Sequence, residues 1–258
     1  MRIATWNVAS LTSERLERLH GWLSYAQPDV LCLQETKLTD DAFPALDLLG
    51  RGYESVHYGQ GRWNGVAILS RVGLSDAVMG FADGGSHDPE ARLVGANCGG
   101  VAVSSVYVPN GRAVGHDQYH YKLAWLGRLR EHLAVTAKPA DDLVVCGDFN
   151  VAPQDLDLWD PAAFEGATHV SADERALLGE LQEWGLHDVF REQHPGVDGL
   201  FSWWDYRAGA FHKRQGMRID LILATSSLAS RASWALIDRN ARKGSKPSDH
   251  APVLVDFD

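Results

Sequence analysis

The chain has 258 residues, 45% of them hydrophobic, enough for a large core built either as one domain or as two fused half-units. No stretch reaches the roughly 18 consecutive apolar residues that a membrane span needs, so no membrane partner is expected. The net charge of −10 argues, on composition alone, against a polyanionic partner.

The distribution of that charge changes the argument. Residues 201–258 hold nine Lys and Arg against six Asp and no Glu, so the acidic excess lies in the first 200 residues. Clustered carboxylates suit a divalent metal, and one basic rim is compatible with an acidic total. Cys32, Cys98 and Cys146 are odd in number and far apart. Two of them lie in apolar runs, where a thiol behaves as a small hydrophobe. A disulfide framework or zinc site is not expected, and a cytoplasmic, reducing location is. The opening Met1-Arg2-Ile3-Ala4-Thr5-Trp6-Asn7 reads directly into a strand, without a signal-peptide layout.

In chain order, Arg2–Val8 reads as a strand. Glu14–Ala26 reads as a helix, with Leu16, Leu19, Leu23 and Ala26 on one face, Thr12 or Ser13 as caps and Pro28 beyond its end. Asp29–Glu35 is a short buried strand. Glu54–Tyr58, Gly65–Arg71, Ala91–Asn97 and Val101–Tyr107 alternate with turn residues and predict an antiparallel meander. A long helix is expected at about Tyr119–Ala137 and a buried strand at Asp142–Cys146. Ser171-Ala172-Asp173-Glu174 has the spacing of a capping box, ahead of an apolar face of Leu177, Leu178, Leu181 and Trp184. Arg218–Ala224 and Pro252–Phe257 are the last expected strands. Mostly antiparallel strands with a few long helices predict an α/β sandwich in which helices cover sheets.

The polar residues of interest share one placement. Asn7, Glu35 and Tyr107 end strands, Asp148 and Asn150 follow the run Leu143-Val144-Val145-Cys146-Gly147, Asp220 interrupts a late strand, and Asp249 and His250 precede the last one. Taken singly, a carboxylate or Asn after a strand is a common turn former or cap, and a lone His is most often a surface imidazole. Together they bring acid, amide, phenol and imidazole to strand ends, where rigid elements aim such groups more closely than free loops do.

The segments Trp6-Asn7, Leu33-Gln34-Glu35-Thr36-Lys37, Gly65-Val66-Ala67, Tyr107-Val108-Pro109-Asn110-Gly111, Gly147-Asp148-Phe149-Asn150, Phe201-Ser202-Trp203-Trp204-Asp205-Tyr206-Arg207, Arg218-Ile219-Asp220 and Ser248-Asp249-His250 resemble the exonuclease III family. These are apurinic/apyrimidinic (AP) endonucleases of the endonuclease/exonuclease/phosphatase superfamily. The likeness keeps the family's order from residue 2 to residue 257. Gln-Glu and Ser-Asp-His are superfamily-wide; the Tyr-Val-Pro-Asn-Gly and Phe-Ser-Trp-Trp-Asp-Tyr-Arg segments resemble the DNA-repair branch.

The resemblance implies a single domain over residues 1–258, a four-layered α/β sandwich of two packed, mixed and mainly antiparallel sheets flanked by helices. It implies Mg²⁺, with Mn²⁺ as a possible substitute, held by Glu35 with Asn7 and Asp249 completing or orienting its shell. Asp148 would deprotonate the attacking water, Asn150 would hold water and phosphate, and Tyr107 would stabilise the transition state or the leaving 3′-oxygen. His250 paired with Asp220 would face the phosphoryl oxygens, and that pair is also a candidate base. Trp203, Trp204, Met217 and Ile219 are expected around a flipped-out abasic sugar, with one of the two tryptophans packing under the sheet. Arg62, Arg112, Lys122, Lys213, Arg214, Arg218, Arg242, Lys243 and Lys246 are the basic residues expected to favour DNA, most as backbone phosphate contacts. The implied partner is double-stranded DNA with abasic sites or blocked 3′ ends, incised 5′ to the lesion by a monomer that also has 3′→5′ exonuclease and 3′-phosphatase activity.

The chain departs from the family at Ala9, where many members place an Asp or Asn, which bears on the number of metal ions. His20 and the stretch His116–His120 have no assigned role and are expected at the surface. Two rival readings use the same residues: a phosphatase or phosphodiesterase acting on inositol phosphates, phospholipids or RNA, and a catalytically silent DNA-binding relative. Glu35, Asp148 and His250 are all present, which speaks against the silent relative.

Overall fold

In the computed structural model, which describes residues 1–258, the first strands are β1 (Arg2–Asn7), β2 (Val30–Gln34), β3 (Glu54–Tyr58), β4 (Val66–Ser70) and β5 (Ser75–Met79). They are followed by β6 (Leu93–Cys98), β7 (Val101–Tyr107), β8 (Leu143–Asp148) and β9 (Leu186–Asp188). The last are β10 (Trp203–Trp204), β11 (Gly216–Met217), β12 (Asp220–Thr225), β13 (Ala232–Ile237) and β14 (Val253–Phe257). Four of the helices matter here: α1 (Ser13–Ala26), α2 (Ala45–Gly50), α3 (Asp117–Thr136) and α4 (Ala172–Trp184).

One six-stranded sheet has the order β13-β14-β1-β2-β4-β3 and the other β5-β6-β7-β8-β12-β9, with β10 and β11 as a small separate hairpin. In each sheet only the central pair is parallel, β1 with β2 and β7 with β8. Each pair is joined by a crossover helix, α1 in the first sheet and α3 in the second, as parallel neighbours require. The two halves therefore repeat one plan, and every other pairing in these sheets is antiparallel.

The layers follow from side-chain alternation. Cys32, Ile68, Cys146 and Ile222 point into the core between the sheets. Leu31, Leu33 and Leu69 point the other way, onto Leu19, Trp22 and Leu23 of α1. On the far side Val145, Leu221 and Leu223 meet Trp125, Leu126 and Leu129 of α3 and Leu178 and Leu181 of α4. With both faces buried, β2, β4 and β8 carry the unbroken apolar runs Val30–Leu33, Val66–Leu69 and Leu143–Cys146 rather than alternating ones. All three cysteines are free and buried. No helix is long and apolar enough to cross a membrane. Thr12 caps α1, accepting from the Arg15 amide at 3.4 Å. The capping box at Ser171 is closed by reciprocal bonds with Glu174 at 3.2 and 3.0 Å.

The expected meander is not what forms. β3 pairs with β4 and β4 with β2, whereas β6 and β7 belong to the opposite sheet. The chain changes sheets between Ser70 and Ser75, and the alternation that marks a strand carries no information about its partner. Strand β5 was not expected because its edge position leaves every residue exposed, and Ser75-Asp76-Ala77-Val78-Met79 shows no apolar–polar alternation. Strand β13, likewise at an edge and mostly exposed or half-buried, was missed for the same reason.

Candidate active site

The registers bring the strand ends together. Asn7 of β1 lies beside Gln34 of β2, so Glu35 emerges next to it. Tyr107 of β7 lies beside Asp148 of β8, and Asp148 is opposite Asp220 of β12. Gly147 makes this approach possible, because a Cβ there would stand 1.9 Å from the Val106 carbonyl oxygen. The two sheets are tied at this rim by Asn7, whose Nδ2 donates to Glu35 Oε1 and to Asp148 Oδ2, both at 2.9 Å. Its Oδ1 accepts from the Ala9 amide at 2.9 Å. Ala9 and Ser10 both have positive φ, 52° and 99°, a backbone shape in which Asn and Asp are the more usual residues.

Asp148, Asp220 and His250 are buried and offer ligand atoms all within 4.8 Å of one another. His250 Nδ1 donates to Asp220 Oδ2 at 2.8 Å, and Nε2 lies 3.8 Å from Asp148 Oδ2. Burial alone would strip the imidazole of its proton, but Asp220 and Asp148 outweigh burial and raise His250 to about 10. Burial pushes Asp148 up to about 7 against the attraction of His250. Its Oδ1 accepts from the Asn150 amide at 2.9 Å. Burial also raises the Glu35 carboxyl, but Lys37, 2.7 Å away, and Asn7 outweigh it and hold the group below its usual range. Burial, reinforced by Glu35, holds the Tyr107 phenol protonated well above its ordinary range. The Arg92 guanidinium covers the Tyr107 ring at 4.6 Å.

The donor set can be tested against a divalent cation. A ligating imidazole must be unprotonated, and His250 is held in its charged form by two carboxylates. On the Glu35 side, carboxylate and amide oxygens would offer such an ion a hard donor set. Glu35 keeps side-chain surface, at 16%, whereas Asp148 and Asp220 are enclosed, so the residues present fit such an ion. Asn7, with Nδ2 committed to two carboxylates, orients them. The Asp249 carboxylate accepts from Trp203 Nε1 at 3.1 Å, which places it between the rim and the aromatic segment.

On the substrate side, Trp203 is half-buried over Met217, Ile219, Leu158 and Ala152, and both Met217 and Ile219 lie beneath the surface. Trp204 is enclosed, edge-on to Phe211, so it is the tryptophan that packs inside. Arg112 and Arg214 are exposed, with Arg62, Lys213 and Lys243. Lys246 is exposed but bonded to Glu14 at 2.7 Å.

Contrary to expectation, three of the basic residues expected to favour DNA turn inward. Lys122 is wholly buried, paired with Glu174 and donating to the Asn150 carbonyl at 2.7 Å. Arg218 is wholly buried between Asp157 and Asp188. Arg242 donates to the Ser248 and Trp204 carbonyls from inside the fold. Each found acceptors that the fold brings near, so its charge never reaches solvent.

The Lys122 pair belongs to a network behind the Asp148–Asn150 turn that sequence reasoning missed. His169 Nδ1 lies 2.5 Å from the Asn150 carbonyl, and Asn110 Nδ2 donates to Asn150 Oδ1 at 3.3 Å. Burial, then Lys122, push His169 down to about 4. Asn110 was visible only as part of the Tyr-Val-Pro-Asn-Gly segment, and His169, a single imidazole in a loop, carried no signal. Burial raises the Glu174 carboxyl, but Lys122 and the bonds from His169 N and Thr168 outweigh it, so its folded pKa is depressed. A depressed carboxyl contributes stability above its unfolded value, about 4.3, that is lost as pH falls through the folded value. Glu174→Gln is accordingly expected to melt below the parent at neutral pH, and the gap should close in acid. A gap that stays constant down to the lowest pH would contradict this, as thermal melts across pH would show.

The endonuclease/exonuclease/phosphatase family profile spans residues 4–250. An exodeoxyribonuclease III of Haemophilus influenzae is 31% identical over 271 residues, covering 100% of both chains. The AP endonuclease from Archaeoglobus fulgidus superposes with a TM-score of 0.96 at 37% identity, over 100% of this chain and 99% of that one. A 3′ phosphatase, NExo, from Neisseria, bound to a product DNA hairpin, superposes at 0.95 with 38% identity over the same shares. The chain belongs to the endonuclease/exonuclease/phosphatase family.

Proposed function

We propose that residues 1–258 act as one unit, a Mg²⁺-dependent DNA repair phosphodiesterase that incises 5′ to abasic sites and clears blocked 3′ ends, with Mn²⁺ able to replace Mg²⁺. The observation that carries this reading is the junction at Asn7, which links the candidate metal carboxylate Glu35 to the Asp148–His250–Asp220 cluster. The relatives named as exodeoxyribonuclease, AP endonuclease and 3′ phosphatase supply the substrate class.

In this mechanism Asp148 aligns water and takes its proton as the oxygen attacks phosphorus. Asn150 is held beside it by Asn110 and the Val108 carbonyl, and orients water and phosphate. The P–O3′ bond breaks, leaving a 3′-hydroxyl and a 5′-phosphate. Charged His250, fixed by Asp220, faces the phosphoryl oxygens, and neutral Tyr107 donates toward the transition state or the leaving oxygen. When bound, the metal held by Glu35, with Asn7 and Asp249 orienting its shell, supplies Lewis-acid polarisation and leaving-group stabilisation. Trp203, over Met217 and Ile219, forms the apolar side of the sugar pocket, and Arg112 and Arg214 contact backbone phosphates of the duplex. The enzyme works as a monomer in the cytoplasm, where its three free thiols persist.

The 3′ phosphatase neighbour, bound to product DNA, favours a second reading in which 3′-end cleaning is the main activity and abasic incision the minor one. One experiment separates them. A 5′-labelled duplex with a single tetrahydrofuran site and a nicked duplex with a 3′-phosphate are incubated with Mg²⁺ or with EDTA. A metal-dependent nick 5′ to the lesion supports the first reading, and phosphate release alone supports the second. Neither product from folded protein removes both. Activity is also expected to fall steeply between about 50 and 200 mM salt, because phosphate contacts release counterions; salt-insensitive cleavage would contradict the basic rim.

A further inference from the structure

The turn that presents Glu35 is strained. Glu35 and Lys37 both have left-handed backbone, with φ of 53° and 54°. Such conformations persist in non-glycine residues only where the surroundings over-determine them. The backbone supplies part of that determination: the Thr36 and Lys37 amides donate to the Gly65 and Asn64 carbonyls at 3.1 and 2.9 Å, and the Glu35 and Thr36 carbonyls accept from Ser10 and Leu11 at 2.7 and 2.9 Å. The side chain of Thr36 supplies the rest. It is fully buried, and its Oγ1 passes so close to Gly65 that a Cβ there would lie 2.2 Å from it.

That hydroxyl meets His57 Nε2 at 2.8 Å, and His57 Nδ1 meets Asp40 Oδ1 at 2.7 Å. Asp40 also accepts from the Gly59 amide at 2.8 Å. With Nδ1 donating to the carboxylate, the neutral ring leaves Nε2 to accept from the Thr36 hydroxyl. The imidazole is clamped face to face on Phe43, with centroids 4.2 Å apart and planes 11° apart. A hydroxyl, an imidazole and a carboxylate in a row resemble a nucleophilic triad, but Thr36 is closed from solvent and cannot receive a substrate. The chain ends one residue from Glu35, at the turn that sets where its carboxylate points.

We propose that Asp40, His57 and Thr36 form a positioning relay that fixes the Glu35 carboxylate for a divalent cation. The proposal rests on the reading of Glu35 as a metal-holding residue. Outer-shell partners of this kind alter metal affinity by about 10- to 100-fold when removed. They should affect metal binding more than turnover once the metal is saturating.

The test is Mn²⁺ titration of the whole protein, without DNA, followed by the loss of the free-ion EPR signal. Thr36→Val, which keeps shape and removes the hydroxyl, and His57→Phe, which keeps the stack and removes both bonds, are each expected to raise the Mn²⁺ Kd by about 10-fold or more. kcat at saturating metal should change by less than about 3-fold, a split between metal affinity and turnover that general loosening would not give. His57→Gln, which can still reach Thr36, should recover part of the affinity. Asp40→Asn, at the solvent end, gives a variant least prone to misfold, and circular dichroism establishes that each variant is folded. Mn²⁺ affinity within 2-fold of the parent in folded Thr36→Val and Asp40→Asn overturns the relay. Glu35→Gln separates the two levels. If it loses Mn²⁺ while Thr36→Val does not, the relay falls and the metal reading stands; if it binds Mn²⁺ like the parent, both fall.

Discussion

Asp148→Asn is expected to lower kcat by about 100- to 10,000-fold, the range for removing a general acid or base, while leaving the protein folded. The carboxylate sits where three influences meet: Asn7 Nδ2, the Asn150 amide and the His250 imidazole. Asparagine keeps the shape and the acceptor but cannot take a proton. Because burial raises the Asp148 carboxyl to about 7, its ionised form is unfavourable in the folded state. The variant should therefore melt at or above the parent temperature, a common relation between function and stability at active sites. Retention of more than a tenth of parental kcat would move the base elsewhere, with His250–Asp220 the first place to look. The measurement is single-turnover cleavage of the abasic duplex, with melting curves run beside it.

The largest effect on stability is expected at Arg218. Its guanidinium donates to Asp157 at 2.7 and 3.1 Å and to Asp188 at 3.0 and 2.8 Å, with no exposed surface. Arg218→Met leaves Asp188 without its ion partner and Asp157 with Arg191 alone. Breaking a buried pair in this way costs about 3–5 kcal/mol, a drop of roughly 10 °C in Tm for a chain of this size. Arg218 lies between Met217 and Ile219, two residues before Asp220, so abasic incision should weaken as well. Arg214→Met, at an exposed position four residues earlier, should leave Tm within about 2 °C. Equal melting of the two variants would show that the buried network contributes little.

The contrast between Arg218 and Arg214 marks how far the chain could be read by itself. Local chemistry was legible. The continuous apolar runs through Val30–Leu33 and Leu143–Cys146 announced strands buried on both faces, and Thr12 and the Ser171 box announced helix starts, because these signals act over a few residues. The ordered motif set at Asn7, Glu35, Tyr107, Asp148, Asp220 and His250 also stood in the chain. Pairing partners did not. Strand β4 pairs with β2 while β6 turns to the other sheet, and no residue between Ser70 and Leu93 encodes that choice alone. Nor did the sequence show which cations face water. Lys122 finds Glu174 at a separation of 52 residues and Arg218 finds Asp157 at 61, so only the assembled fold supplies the acceptors that make burial tolerable. The same holds for Asp40, His57 and Thr36, ordinary residues in the sequence that become a chain of hydrogen bonds only when β2, β3 and β4 lie side by side.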